Sequence, residues 1–200
     1  MWQIVLASAL AVVTSVTSVS STVPQQPAPA SVSVAESQTQ LGQRFWVKDK
    51  HRYASPWYAG KRRKMINYGC TRAPYYDPDP RCTKQRGFHH GLDIAMPCGT
   101  KLFAGFRGWV VRPASQGSLG SAYGRKAFRL RNHRTDVDVV VGHVRRVYVG
   151  PGDRIRKGQL IARSGKLGAP DGCHLHFEVR PIRGGYQSAV RPHRYLMLRR

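Results

Sequence analysis

The clearest alternation of apolar and polar positions along the chain lies between residues 174 and 179, where His, His and Glu alternate with Leu, Phe and Val. In a β-strand successive side chains point to opposite faces, so the three polar residues share one face and the three apolar ones face a core. At about 3.3 Å of rise per residue, the two histidines lie about 7 Å apart at their Cα atoms. On a helix they would diverge by about 200° and could not serve one site. The pattern predicts a strand with one polar face.

Short apolar runs recur upstream of this strand, separated by Gly, Pro and Asp, as is typical of β proteins. They occupy residues 102–105, 108–111, 137–143, 146–149 and 159–163. No long stretch shows a 3.6-residue period, and we find no internal repeat. We therefore predict an all-β fold of mainly antiparallel sheets with long loops.

The N-terminal part of the chain has a different composition. Residues 1–21 form an uncharged apolar run followed by small residues, which predicts a signal peptide and export, although the run lacks an initial Lys or Arg. A membrane anchor or an unprocessed apolar tail is the alternative. Residues 22–44 are rich in Pro, Gln, Ser and Ala, which predicts a disordered linker. We expect the folded domain to cover residues 45–200.

Positive charge is concentrated in that domain. The chain of 200 residues has 33 Lys and Arg against 10 Asp and Glu, a formal charge of +23. Only Glu36 and Arg44 among these charged residues lie in the first 44 positions. Such a field attracts polyanions, whether nucleic acid, acidic lipid or an anionic cell wall. The cations are scattered and form no nucleic-acid-binding motif, so nucleic acid is the least favoured of these partners.

Four cysteines in an exported protein indicate disulfides, and three pairings are possible. Cys70 and Cys82 flank a Pro-rich loop without periodicity, which cannot pack by itself. A bridge between them would stabilise the fold by roughly 3 kcal/mol in the chain-entropy model. The remaining pair would then be Cys98 with Cys173.

A second group of polar residues lies upstream of the predicted strand at residues 174–179. It contains His89 and Asp93, which are four positions apart. Gly91 between them permits a close backbone approach or an unusual φ. Together with one imidazole of the distant His174/His176 pair, they would form a three-ligand zinc set with a fourth position open for water, as in catalytic sites. Taken separately, each group could instead be a surface pair.

If one histidine of that pair binds the metal, the other is free to act as a general base or to hydrogen-bond the water. His143 ends a Val-rich run and would emerge from a buried strand into a cleft, unless it is a core histidine. Spacing alone does not decide which imidazole takes which role.

Several motifs, in order, resemble the lysostaphin/LytM-type zinc metallopeptidases, peptidase family M23. Phe88–Ala95 resembles the His-x-Gly-x-Asp metal motif, and Val141–Val144 resembles the strand with a conserved His. Gly172–Arg180 resembles the closing His-x-His motif. The resemblance covers residues 65–197 and also includes Tyr68–Pro74 and the hairpin Val149–Ile161.

This resemblance implies a fold of the barrel-sandwich hybrid type with a duplicated hybrid motif. It implies Zn²⁺ on His89, Asp93 and His176, with His143 and His174 assisting the attacking water and the oxyanion. His90 is implied to be non-ligating. Members of the family cleave peptide cross-links of bacterial peptidoglycan, and inactive members regulate other wall hydrolases.

The chain departs from the family pattern at three points. Val141 stands where Tyr is frequent, and no tyrosine aligns with the one that often helps to hold the oxyanion, which leaves Tyr68, Tyr75 and Tyr76 as candidates. Cys173 replaces a frequent Pro before the His-x-His motif. Because His174 and Asp93 must approach one metal, we expect Cys173 and Cys98 to be neighbours joined by a disulfide. A thiolate ligand is disfavoured because the ligand set is already complete.

Taken together, these features predict a secreted zinc endopeptidase that acts on cross-links or stem peptides of peptidoglycan, in the cell wall or periplasm. The expected partners are peptidoglycan and anionic wall polymers. We expect a monomer with no stable membrane insertion after processing. The alternative function is a catalytically silent wall-binding regulator of other hydrolases.

Overall fold

The structure is a computed structural model that describes residues 42–112 and 119–200. The predicted signal peptide and the linker up to residue 41 lie outside the described residues. Thirteen strands are present in the described part of the chain. They are β1 Arg52–Ser55, β2 Tyr58–Ile66, β3 Gly69–Thr71, β4 Gly87–His89, β5 Gly91–Ala95, β6 Lys101–Phe103, β7 Gly108–Val110, β8 Phe128–Asn132, β9 Val137–Gly142, β10 Val144–Val147, β11 Arg154–Ile155, β12 Leu160–Ser164 and β13 His174–Pro181.

Helical structure in these residues is limited to three short elements. Two are 3₁₀ turns, Ser121–Tyr123 and Tyr186–Ser188, and the third is α1, His193–Leu196. No helix in the described ranges has the length and apolar character needed to cross a membrane. The prediction of an all-β fold is thus confirmed.

Every strand pair among the described residues is antiparallel. The main sheet has the order β10-β12-β6-β2-β5-β13-β9-β8-β7-β11, with β1 added beside β2. It curls into a half-barrel, while β3 and β4 form a separate hairpin-like pair. Strand β13 therefore lies near the middle of the sheet, between β5 and β9, where both of its edges are hydrogen-bonded.

The core lies on the apolar side of β13. Leu175, Phe177 and Val179 are all at most 1% exposed and belong to the main buried cluster. The ring of Phe177 packs edge-on against Trp57, with 4.8 Å between ring centroids. Burying such side chains stabilises the fold by about 1.5–3 kcal/mol each relative to leaving them in water. The alternation read from the sequence correctly identified this core face.

The chain just before the predicted domain boundary is attached to the domain. Gln43 Nε2 donates a hydrogen bond to the Met96 carbonyl, 2.8 Å away, and the Arg44 amide donates to the Asp171 carbonyl. Trp46 follows and donates its indole N–H to an Asp171 carboxylate oxygen at 2.8 Å. Residues 42–46 thus contact the loop that leads into β13.

Candidate metal centre

Strand register brings the predicted metal ligands together. His176 on β13 lies directly across from Asp93 on β5, and directly across from Gly142 on its other side, β9. His89 ends β4, and one residue separates it from the start of β5. All three predicted ligands are buried, with at most 6% of any of them exposed.

The donor atoms of these three residues converge on one point. His89 Nε2, His176 Nδ1 and an Asp93 oxygen lie within 4.8 Å of one another, so the group could hold a metal ion. The distances are 3.1 Å between the two nitrogens, 3.3 Å from His89 to Asp93 Oδ1, and 2.9 Å from His176 to the same oxygen. Two imidazoles and one carboxylate match the donor set that transition metals take in open catalytic sites.

Hydrogen bonds orient both imidazoles of this group. His89 Nδ1 donates to the Asn67 carbonyl at 3.0 Å, because a carbonyl only accepts, and this leaves the lone pair on Nε2. His176 Nε2 lies 3.2 Å from Glu178 Oε2, so its N–H points there and Nδ1 faces the centre. Histidines that bind a metal through one ring nitrogen characteristically donate a hydrogen bond from the N–H of the other nitrogen in this way. The residues present therefore fit a bound metal.

Gly91 makes room for this arrangement. A Cβ at Gly91 would lie 2.5 Å from His176 Cε1 and 2.8 Å from its Nε2, closer than atoms can pack. Gly91 is not among the glycines with positive φ. The sequence offered two reasons for this glycine, a close approach or an unusual φ, and the structure shows the close approach.

Burial and neighbouring groups shift the pKa values of Asp93 and His176. Burial disfavours the Asp93 carboxylate, but its interactions with the imidazoles of His89, His174 and His176 hold its pKa well below the usual range. For His176, burial works against protonation, but hydrogen bonds to Asp93 and Glu178 outweigh it and raise its pKa to about 9. Without a metal, the site is therefore built to hold one positive charge between carboxylates.

His143 and His174 form a second pair of imidazoles beside this group. Their ring centroids are 4.4 Å apart, and the His143 ring is 5.8 Å from that of His176. His143 Nδ1 donates to the Leu167 carbonyl at 2.8 Å, and His174 Nδ1 donates to the Gly172 carbonyl at 3.0 Å. Both therefore carry their lone pair on Nε2.

Both of these histidines are held in the neutral form. Burial, followed by the neighbouring imidazoles, lowers the pKa of His143 to about 3. Burial also lowers the pKa of His174. His174 Nε2 has no hydrogen-bond partner among the described residues and lies 3.5 Å from Asp93 Oδ2. At neutral pH both residues therefore carry no proton on Nε2, and this lone pair can accept a hydrogen bond.

The backbone at His143 is unusual, since its φ is +58° in a residue that is not glycine. Such a conformation is uncommon and persists only when the surroundings enforce it. Here the His143 amide donates to the Tyr123 carbonyl at 2.9 Å, and β9 ends and β10 begins on either side of it. The turn directs the imidazole out of the buried strand and into a cleft. Of the two interpretations of His143 that the sequence allowed, a cleft histidine or a core histidine, the structure shows the first.

A cleft of about 630 Å³ opens onto this group. His89, His143 and His176 line it, whereas His174 does not. His90 contributes to the wall, where its ring packs against Tyr186 with 5.0 Å between centroids, and it is outside the converging donor group. The wall also includes Tyr75, Tyr76, Tyr123, Asp77, Asp79 and Glu178.

The tyrosines named as oxyanion candidates are placed differently from one another. Tyr68 donates to the Ala189 carbonyl and does not line the cleft. Tyr75 lines the cleft and donates to Asp171. Tyr76 packs against the His89 ring at 5.4 Å, and burial raises the pKa of its hydroxyl. Sequence reasoning missed Tyr123, which also lines the cleft, because its loop carries no periodic pattern.

Two disulfides brace the cleft, with the pairing expected from the sequence. Cys70 and Cys82 are joined, 5.6 Å apart at Cα, and enclose the loop that carries Tyr75 and Tyr76. Cys98 and Cys173 are joined across 75 residues, 5.2 Å apart at Cα, immediately before His174. Neither thiol of the second pair is available as a metal ligand.

Comparison with known proteins gives consistent relatives. Residues 87–192 match the sequence model of peptidase family M23. The chain is 30% identical over 112 residues to the peptidoglycan DD-endopeptidase ShyA of Vibrio cholerae, covering 52% of this chain and 25% of ShyA. It is 32% identical over 96 residues to ShyC of the same organism, covering 48% of this chain and 21% of ShyC. The matched region thus spans about a quarter or less of these relatives.

Solved structures share the fold over more of their length. The catalytic domain of lysostaphin from Staphylococcus simulans superposes with a TM-score of 0.54 at 25% identity, covering 68% of this chain and 92% of that one. LytU superposes with a TM-score of 0.55 at 26% identity, covering 74% of this chain and 88% of that one. The residues that match the family model, 87–192, include β4, β5, β9 and β13, the strands that carry or flank the donor group.

Proposed function

Because the chain belongs to peptidase family M23, we propose that it is a zinc endopeptidase that hydrolyses peptide cross-links or stem peptides of bacterial peptidoglycan. The single observation that carries this proposal is the convergence of three metal donors on one point beside two neutral, buried histidines. The names of ShyA and ShyC support peptidoglycan as the substrate.

We assign the metal to His89 Nε2, Asp93 and His176 Nδ1, the atoms that face one another in the site. A zinc ion held there supplies Lewis-acid chemistry, since it lowers the pKa of water from about 15.7 to about 7 and polarises a carbonyl oxygen. Glu178 and the Asn67 carbonyl keep the two imidazoles in the tautomers that this requires.

We assign proton transfer to His143 and His174. His143 lines the cleft and presents a neutral Nε2, which accepts the proton of the attacking water. His174 presents a second neutral Nε2 close behind it. An imidazole that has accepted the proton becomes a donor at Nε2, and can stabilise the oxyanion or protonate the leaving amine.

We also propose that the protein acts outside the cytoplasm, held on the wall by its charge. Two disulfides are typical of proteins in oxidising compartments. A charge of +23 favours adsorption to anionic wall polymers. Retention on wall material should then weaken steeply as salt rises, because added ions screen the attraction. Binding that does not change with salt would contradict the electrostatic role.

The test of the enzyme is digestion of purified peptidoglycans with different bridge types, with the products identified by mass spectrometry. The full chain should release cleaved peptides and carry zinc. His89→Ala should lose both the zinc and the cleavage, whereas His90→Ala, which changes the adjacent histidine outside the donor group, should keep the zinc. Metal-free protein whose activity survives His89→Ala would refute the proposal, and wall binding without any cleavage would support the silent regulator instead.

A further inference from the structure

Tyr123 connects a cleft loop to the polar face of β13. It ends the 3₁₀ turn Ser121–Tyr123, in the connection between β7 and β8. Its hydroxyl donates to Glu178 Oε2 at 2.9 Å and accepts from the Arg180 guanidinium at 2.9 Å. Its ring stands edge-on to the His176 ring, with 5.2 Å between centroids. The tyrosine therefore contacts the group that lies directly behind a proposed metal ligand.

Glu178 is held at both of its carboxylate oxygens. Oε2 accepts from Tyr123 and lies 3.2 Å from His176 Nε2, while Oε1 accepts from Arg180 Nε. The residue has no exposed surface, although it borders the cleft. A buried carboxylate fixed by three donors has little freedom to rotate, because each turn of the group would leave a buried polar atom unpaired.

This fixed carboxylate determines the orientation of His176. As long as Glu178 accepts from Nε2–H, Nδ1 is the nitrogen that faces His89 and Asp93 and that offers a lone pair once its proton is displaced. We propose that Tyr123 is a positioning residue for the metal centre: its hydroxyl holds Glu178 on His176 Nε2 and thereby keeps His176 Nδ1 directed at the metal. This inference rests on the proposed function, since it presupposes that His176 is a ligand.

The main chain of the same residue supports the second imidazole pair. The Tyr123 carbonyl accepts from the His143 amide at 2.9 Å. The next residue, Gly124, has a φ of +80°, and a Cβ there would collide with the Leu167 carbonyl that accepts from His143 Nδ1. The side chain of Tyr123 thus acts on His176, and its backbone acts on His143. A substitution that removes only the hydroxyl separates the two contacts.

The test is Tyr123→Phe in the full chain, measured by zinc affinity in competition with a chromophoric chelator. Loss of a partner behind a metal ligand lowers metal affinity by about 10–100-fold, and we expect a loss in that range. The visible spectrum of the Co²⁺-loaded protein should change as well, because the field at the metal depends on the imidazole orientation. Tyr148→Phe is the matched control: that hydroxyl also accepts from an arginine, Arg163, but lies outside the cleft. It should leave both readouts unchanged.

Coupling to Glu178 distinguishes positioning from a general effect on the fold. In a Glu178→Gln background, Tyr123→Phe should lower zinc affinity much less than in the wild type. Arg180→Lys, which removes the planar fork that reaches both Glu178 and Tyr123, offers a second variant with a loss in the same direction. An unchanged zinc affinity in Tyr123→Phe, or an equal loss in both backgrounds, would overturn the inference. A wild-type protein that binds no zinc would overturn the proposed function itself.

Discussion

The two faces of β13 are buried to a similar extent but differ in what they bury. Leu175, Phe177 and Val179 on one face belong to the main hydrophobic core. The opposite face carries titratable side chains, all at most 6% exposed: His174, His176, Glu178 and Arg180. Buried polar groups cost free energy unless they are paired, and even paired ones add little net stability, so we expect the apolar face to contribute more to stability. Stability and chemistry are therefore separable along one strand.

His174→Ala should produce the largest effect, and it should be on catalysis. Removing a residue that transfers protons lowers the rate by about 10²–10⁴-fold. The zinc should remain, because His89, Asp93 and His176 are untouched. Turnover of peptidoglycan fragments and zinc content, measured on the same preparation, check this. His133→Ala, an exposed histidine outside the cleft, is the control. Loss of zinc in His174→Ala would break the division of roles between the two histidines.

Phe177→Ala should have the next largest effect, and it should be on stability. Truncating a buried Phe to Ala costs about 3–5 kcal/mol of the free energy of unfolding, because a cavity is left against Trp57. Chemical denaturation of the metal-free protein measures this, with Phe177→Leu as a control of smaller loss. The fraction that remains folded should bind zinc normally. A variant that keeps its stability but loses zinc affinity would show that the faces are not separable.

The smallest effect we predict is on the pH dependence of zinc binding. Without metal, His176 has a pKa of about 9, so below that pH zinc must displace a proton from it. The apparent affinity should then rise with pH, by about tenfold per unit for one displaced proton, between about pH 7 and 9. Chelator competition at several pH values measures the apparent affinity. Calorimetry in buffers of different ionisation enthalpy measures the number of protons released on binding. A constant affinity over this range would contradict proton displacement at His176.

The comparison of the two faces also shows how far the sequence could lead. Alternation predicted that His174 and His176 share a face, because a strand has a fixed period of two. It could not show which of them joins the donor group, since this depends on the register that places His176 opposite Asp93. The family resemblance supplied that assignment, and the geometry is consistent with it.

Other parts of the site had no local signal at all. The polar face could have been exposed to solvent, but its side chains are buried, and Tyr123 from a cleft loop packs on His176 and Glu178. Tyr123 lies 55 residues from Glu178 in the chain, in a loop without periodicity. Contacts of this kind arise from tertiary structure alone. The Cys98–Cys173 bridge, by contrast, was foreseen because few alternatives remained once the family resemblance placed Asp93 near His174.

That bridge also gives the molecule an unusual covalent topology. It closes a ring of chain from residue 98 to residue 173, and His143 lies inside the ring. A single proteolytic cut anywhere between the two cysteines leaves the fragments covalently joined. The fragment with His89 and Asp93 then stays tied to the fragment with His174 and His176. Separating them requires either a second cut or a reductant, so a nicked protein would still migrate as one species until its disulfide is reduced.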